Sequence, residues 1–309
     1  TRINLEVYHV IADGTGALQF LQALVCNYIV KAESEEVGQD WGYGSSELER
    51  MADSFQKYYD PANKKRMKPV KAFKINRLRL SESRIKLTEG VMPLTDVLKL
   101  AKDNDTTLTI YLISLLLCSF NKIMSVRDRR KPVSIAVPVN LRNYFSSETV
   151  RNFFGVIYIN YKFDNSQSNM DEVIKSVKEQ FEENLKREAL SANIASMVSI
   201  EKNFVVRAIP LAIKDIVLKA IYRATDNSVS AAVSNLGKID IPENIKKHID
   251  YFDVMSSTKK IQIGLCSFEE KLVVSFTDPF VNLDIQKHFF RSISDAGISV
   301  DINTNPVDQ

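Results

Sequence analysis

The sequence predicts an α/β fold, a sandwich of helices on a sheet, and three observations carry that expectation. A chain of 309 residues with 45% hydrophobic content can bury a sizeable core, and its length suggests about two lobes. Short apolar, β-rich runs such as Val133–Val139 (VSIAVPV) and Leu272–Thr277 suit buried strands. Between them lie segments with helical apolar spacing, for example Leu18, Leu21, Val25 and Ile29. Strands and helices mixed in this way bury their apolar faces as a sandwich.

In chain order, Thr1–His9 alternates Ile3, Leu5, Val7 and His9 against Arg2, Asn4, Glu6 and Tyr8, the period of a half-buried strand. A tight turn, Ala12-Asp13-Gly14-Thr15-Gly16, leads into a helix over about Thr15–Lys31. A polar excursion, Glu33–Asp60, carries WGYGSS and a short helical segment around Leu48–Tyr59. A helix starts near Pro93 and runs to about Lys102, and Thr106 or Thr107 caps a longer one through Met124. Strands follow at Val133–Val139 and Phe153–Phe163, then helices at Met170–Arg187, Ser191–Asn203 and between Phe204 and Tyr222. Ser228–Ser234, Lys260–Ser267 and Leu272–Thr277 read as strands, the last two joined as a hairpin through Phe268-Glu269-Glu270-Lys271. Asp284–Ala296 is a closing amphipathic helix, with a final strand at Ile298–Ile302.

Composition excludes several classes. With 41 basic against 38 acidic residues, the net charge of +3 is too small to argue for nucleic acid or a membrane surface. The basic stretch between Lys64 and Arg79 reads as a solvated linker or edge strand, with an anion-facing strip as the sharper alternative. Cys26, Cys118 and Cys266 sit in apolar stretches without a CxxC, which suits buried free thiols rather than a metal or redox site. The apolar run Leu108–Phe120 is too short to span a bilayer, and with no signal peptide the expected location is cytoplasmic. There is no P-loop, GxSxG or HExxH, and Gly14-Thr15-Gly16 lacks the third glycine of a dinucleotide fingerprint, having Gln19 there.

Of three histidines, His248 and His288 lie in charged or amphipathic contexts and read as surface residues. His9 ends a strand and is followed four residues later by Asp13-Gly14, which places its imidazole at a sheet rim. The spacing His9-Val10-Ile11-Ala12-Asp13-Gly14 resembles the HxxxDG signature of the chloramphenicol acetyltransferase-like, CoA-dependent acyltransferases. Those include alcohol acetyltransferases, wax-ester synthases and condensation domains. Pro138-Val139-Asn140-Leu141-Arg142 with Asn152-Phe153-Phe154-Gly155, and then Ser234-Asn235-Leu236-Gly237, are similar to two further segments of that superfamily, in its order. Tyr8 departs from the pattern, standing where many members have a second histidine.

The resemblance implies a two-layer α/β sandwich of the CoA-dependent acyltransferase type, with a complete C-terminal lobe over 86–309. Residues 1–85 would be the end of an N-terminal lobe carrying the HxxxDG segment and a crossover. The chain has no initiating methionine and opens inside the expected strand, so it is expected to be N-terminally truncated. The implied activity moves an acyl group from a thioester, acyl-CoA as co-substrate with no bound cofactor, to the hydroxyl of a small-molecule or lipid alcohol. His9 would act as general base, since an imidazole with a pKa near ~6.5 is suited to take that proton. The resemblance gives Asp13 and Arg142 a structural ion pair and Gly14 a supporting place in the turn, where backbone freedom is the expected reason for a glycine. Ser234 and Asn235 are the candidates on the oxyanion side. The alternatives are an amide-forming condensation domain fed by carrier-protein thioesters and a non-catalytic scaffold that keeps the fold.

Overall fold

The computed structural model describes residues 2–35, 46–63, 70–164, 169–204, 210, 213–216, 219, 226–256 and 259–306. Its strands are β1 (Lys86–Pro93), β2 (Val133–Asn140), β3 (Phe154–Tyr161), β4 (Ala231–Lys238), β5 (Ile261–Phe268), β6 (Lys271–Asp278) and β7 (Asp301–Thr304). The helices used below are α1 (Gly14–Glu33), α2 (Glu47–Met51), α3 (Ser54–Lys57), α4 (Leu94–Asp103) and α5 (Leu108–Ile123). They continue with α6 (Met170–Asn184), α7 (Arg187–Lys202), α8 (Glu243–Lys246) and α9 (Asp284–Asp295). The strands form one sheet in the order β3-β2-β4-β5-β6-β1-β7, with β4 parallel to both its neighbours and the other pairs antiparallel.

The larger core lies on one face, where Ile135, Val137, Ile157, Ile159, Val274 and Phe276 meet α5 and α9. Helix α5 is apolar nearly all round, and Tyr111 through Leu117 is buried without a break. A helix with no polar stripe is stable only when covered on every side, as α5 is by the sheet, α6 and α9. Thr107 caps it, accepting from the Ile110 N–H at 3.4 Å. No single described helix is long and apolar enough to cross a membrane. The opposite face carries a smaller core, in which Val25, Cys26 and Ile29 of α1 pack on Val91, Cys266, Phe268 and Val273.

Three expectations are corrected. Residues 2–8 carry the alternation of a strand but form no ladder: no described strand pairs with them, and Ile3 is exposed. Alternation alone does not make a strand without a neighbour to satisfy its N–H and C=O groups. β4 runs on to Lys238, beyond the strand expected to end at Ser234, so Ser234-Asn235-Leu236-Gly237 lies inside it. β1 was not foreseen, because Glu89 and Gly90 interrupt its pattern. Gly90 is there for space: a Cβ would stand 2.2 Å from Cε1 of Phe290. The hairpin of β5 and β6 and the helices α4, α5, α6, α7 and α9 form where expected, within a few residues. Of the helix expected between 204 and 222, helical backbone is described at 213–216, and much of the remainder lies outside the described residues.

The basic stretch is described from 70 onward; 64–69 lies outside. Lys74 pairs with Asp226 at 2.9 Å, Arg77 with Asp284 at 2.8 Å, and Arg79 lies over the Phe280 ring. These cations tie the crossover to the sheet and α9 rather than facing an anion.

Candidate active site

The site is assembled around the start of α1. Asp13 is buried and caps the helix, its Oδ1 accepting from the Gly16 N–H at 3.0 Å. Its Oδ2 accepts from Arg142 Nη1 at 2.8 Å and from the Phe153 N–H at 2.9 Å. The carboxylate thus joins α1 to the segment between β2 and β3 through three hydrogen bonds. Arg142 is equally committed. Its Nε donates to the Thr149 carbonyl at 2.8 Å and its Nη2 to the Arg151 carbonyl at 2.7 Å, while Nη1 also reaches Asn140 Oδ1 at 3.2 Å. A guanidinium suits this place because its planar fork feeds several fixed acceptors at once.

Gly14 does not use a glycine's backbone freedom, which corrects the expectation for it. It is the first residue of α1, outside the left-handed region, and a Cβ there would stand 2.8 Å from Cδ2 of Leu236. This contact seats the helix start directly on β4.

The structure brings Asp13, Gly14 and Arg142 together, with His9 on the turn that precedes them. The Ile11 N–H donates to the Tyr8 carbonyl at 2.8 Å, closing that turn. His9 is exposed, and its ring lies 5.5 Å from that of Phe154 between centroids, tilted by 52°. Phe154 opens β3, the edge strand, so the imidazole stands at the sheet margin. Among the described residues no side chain hydrogen-bonds either ring nitrogen. Beside the turn is a cleft of about 290 Å³ whose walls include Val10, Ile11, Ser54, Asn152, Met197 and Glu201.

The two oxyanion candidates part company. Asn235 Nδ2 donates to Thr109 Oγ1 of α5 at 2.8 Å, and its Oδ1 accepts from the Gly237 N–H at 2.7 Å, so its amide works on the α5 face. Ser234 is half-buried and shares the other face with Leu236, toward Gly14. The remaining histidines stay outside this site. His248 contacts Glu35 Oε1 at 3.2 Å, and His288 lies on α9. Cys26 and Cys266 are buried, Cys118 is half-buried, and the described residues hold no cluster that could bind a metal ion.

A second ionisable cluster lies away from His9. Glu89 of β1 and Asp253 are buried side by side, and Arg2 Nη2 bridges them at 3.1 and 3.3 Å. Burial raises the Asp253 carboxyl from 3.8 to about 7. Burial would raise Glu89 too, but hydrogen bonds with Asp253, Tyr251 and Asn303 hold it below its usual value. The pair therefore keeps one shared proton toward neutral pH.

Comparison with known proteins places this geometry. A family model described as alcohol acetyltransferase matches residues 47–266. No curated protein matches the sequence. Among solved structures, the first condensation domain of the CDA synthetase is 16% identical, with a TM-score of 0.52, over 92% of this chain and 61% of that one. Trichothecene 15-O-acetyltransferase TRI3 from Fusarium sporotrichioides is 12% identical at a TM-score of 0.51, over 92% and 63%. Polyketide synthase associated protein 5 from Mycobacterium tuberculosis is 11% identical at 0.51, over 93% and 71%. The chain thus spans less than two thirds of the first two of these structures.

Proposed function

The chain belongs to the alcohol acetyltransferase family, and from that premise we propose that it esterifies an acceptor hydroxyl from a thioester with His9 as general base. Acyl-CoA is the proposed donor and a small-molecule or lipid alcohol the acceptor. In this reading an imidazole nitrogen of His9 takes the hydroxyl proton as the oxygen attacks the thioester carbonyl carbon. The C–S bond of the tetrahedral intermediate then breaks, and the departing thiolate receives that proton from the imidazolium. Ester and free thiol leave, and His9 is neutral again. Ser234, on the Gly14 face of β4, is the donor proposed for the oxyanion.

The observation that carries this reading is an exposed imidazole with no hydrogen-bonded partner among the described residues, on a turn whose carboxylate is tied to the Gly16 and Phe153 N–H groups and to Arg142. Among the described residues no carboxylate orients His9, and Asp13 and Arg142 support the turn. The test is thiol release from acyl-CoA in the presence of alcohols. Replacing His9 with alanine should lower the rate ~10²–10⁴-fold and barely move stability, since the ring is exposed. Release that is unaffected by His9→Ala sinks the reading. A carrier-protein thioester is the second donor, compatible with a fold shared with condensation domains. It is distinguished by release that requires the acylated carrier and ignores acyl-CoA.

A further inference from the structure

We propose that Asn152 is a positioning residue for His9, fixing the backbone of the turn that presents the imidazole; this deepens the acyl-transfer reading and rests on it for its catalytic meaning. The turn needs such a residue because it has little packing of its own. Tyr8 is 75%, Val10 71% and Ile11 72% exposed, so burial contributes little to its shape. Residues 2–8 form no ladder that could hold it from the other side. The imidazole itself has no hydrogen bond among the described residues, so its placement must come through the main chain and the Phe154 ring.

Asn152 supplies what the main chain requires. Its Nδ2 donates to the His9 carbonyl at 3.1 Å and to the Val10 carbonyl at 3.3 Å. Two adjacent carbonyls demand a donor, which fixes the orientation of the amide. Its Oδ1 is left buried and without a partner, so the two bonds to the turn are kept at the expense of an unsatisfied acceptor. The neighbours of Asn152 are locked in turn. The Arg151 carbonyl accepts from Arg142, and the Phe153 N–H donates to Asp13. The tripeptide 151–153 therefore grips the HxxxDG segment at both ends, at Asp13 through its backbone and at His9 through one side chain. The Asp13–Arg142 pair reaches His9 by way of Asn152.

The test compares Asn152→Ala with Asn152→Asp in the 309-residue chain. Aspartate has the same shape but offers no donor to the carbonyls, so a mere packing role would be preserved by it and a donor role would not. We expect the Ile11 amide to exchange at least tenfold faster in both variants, with the aspartate no better than the alanine. We expect kcat for thiol release to fall ~10–100-fold with KM unchanged, the cost of a misplaced base. Unchanged Ile11 exchange in both variants, or normal exchange in the aspartate alone, overturns the proposal. So does faster exchange with an unaltered kcat. Thiol release tests the acyl-transfer reading, while amide exchange decides independently of it whether Asn152 holds the turn.

Discussion

Removing the Asp13 carboxylate tests how the site is built, because each of its bonds has a separable cost. The Asp13 and Arg142 side chains are only 6% and 11% exposed. Asp13→Ala removes a helix cap, about 1 kcal/mol. It strips the Phe153 N–H of its acceptor, about 1 kcal/mol or more. It also leaves a nearly buried guanidinium without its counter-charge, a loss that reaches ~3–5 kcal/mol when nothing else compensates. Here the carbonyls of Thr149 and Arg151 and the Asn140 amide remain, so about half of that is expected. The sum is about 4 kcal/mol. Asp13→Asn keeps the cap through its Oδ1 but sets an NH2 where Oδ2 accepted from Arg142 and the Phe153 N–H, so about 3 kcal/mol is expected. Urea unfolding with an unchanged m-value measures both. A buried pair is weakly screened, so the cost should persist at high salt. An alanine or an asparagine variant within 1 kcal/mol of the parent would refute the account.

Other outcomes follow from single contacts. Gly90→Ala drives a methyl into the Phe290 ring and should cost ~1–3 kcal/mol in unfolding free energy; a neutral effect would mean α9 is not seated as described. Asp253, raised to about 7 by burial, holds a proton where the unfolded chain has lost it, so its share of stability is present at acid pH and declines as pH rises from about 4 toward 7. Asp253→Asn should flatten that decline by up to about 4 kcal/mol, shared with Glu89; an identical pH–stability slope in the variant would rule it out. Thiol titration of the native chain should find Cys118 first. Burial pushes the Cys26 and Cys266 thiols up to about 11 and about 12, so modification of either ahead of Cys118 would contradict the packing.

Much of the fold is legible in the sequence wherever local pattern and tertiary burial agree. α5 announces itself through a run of apolar residues behind Thr107, and the β5–β6 hairpin through two β-rich runs four residues apart. The misses share one cause, a requirement imposed from far away in the chain. β1 hides because Gly90 answers to Phe290, two hundred residues on. Residues 2–8 mislead because their alternation is real while no described strand pairs with it. Within the site, the Asp13–Arg142 bond can be anticipated from the family resemblance, and it forms at 2.8 Å. The two bonds from Asn152 to successive carbonyls could not be anticipated, since no spacing rule links a side chain to main-chain atoms 142 and 143 positions earlier. The one available hint was that Asn152 sits within the second family-like segment.

The strand order has a consequence for how the molecule comes into being. β1 lies between β6 and β7, so its hydrogen-bonding groups on both edges wait for partners that begin at Lys271 and Asp301. During synthesis the chain must emerge past Lys271 before either edge can be covered, and closing such long loops is slow. Meanwhile the greasy helix α5, which is finally roofed by α9, has no lid. A ribosome stalled short of residue 284 would therefore hold a sticky, unpaired nascent chain. Holdase chaperones should bind it there and let go once α9 has been made and docked.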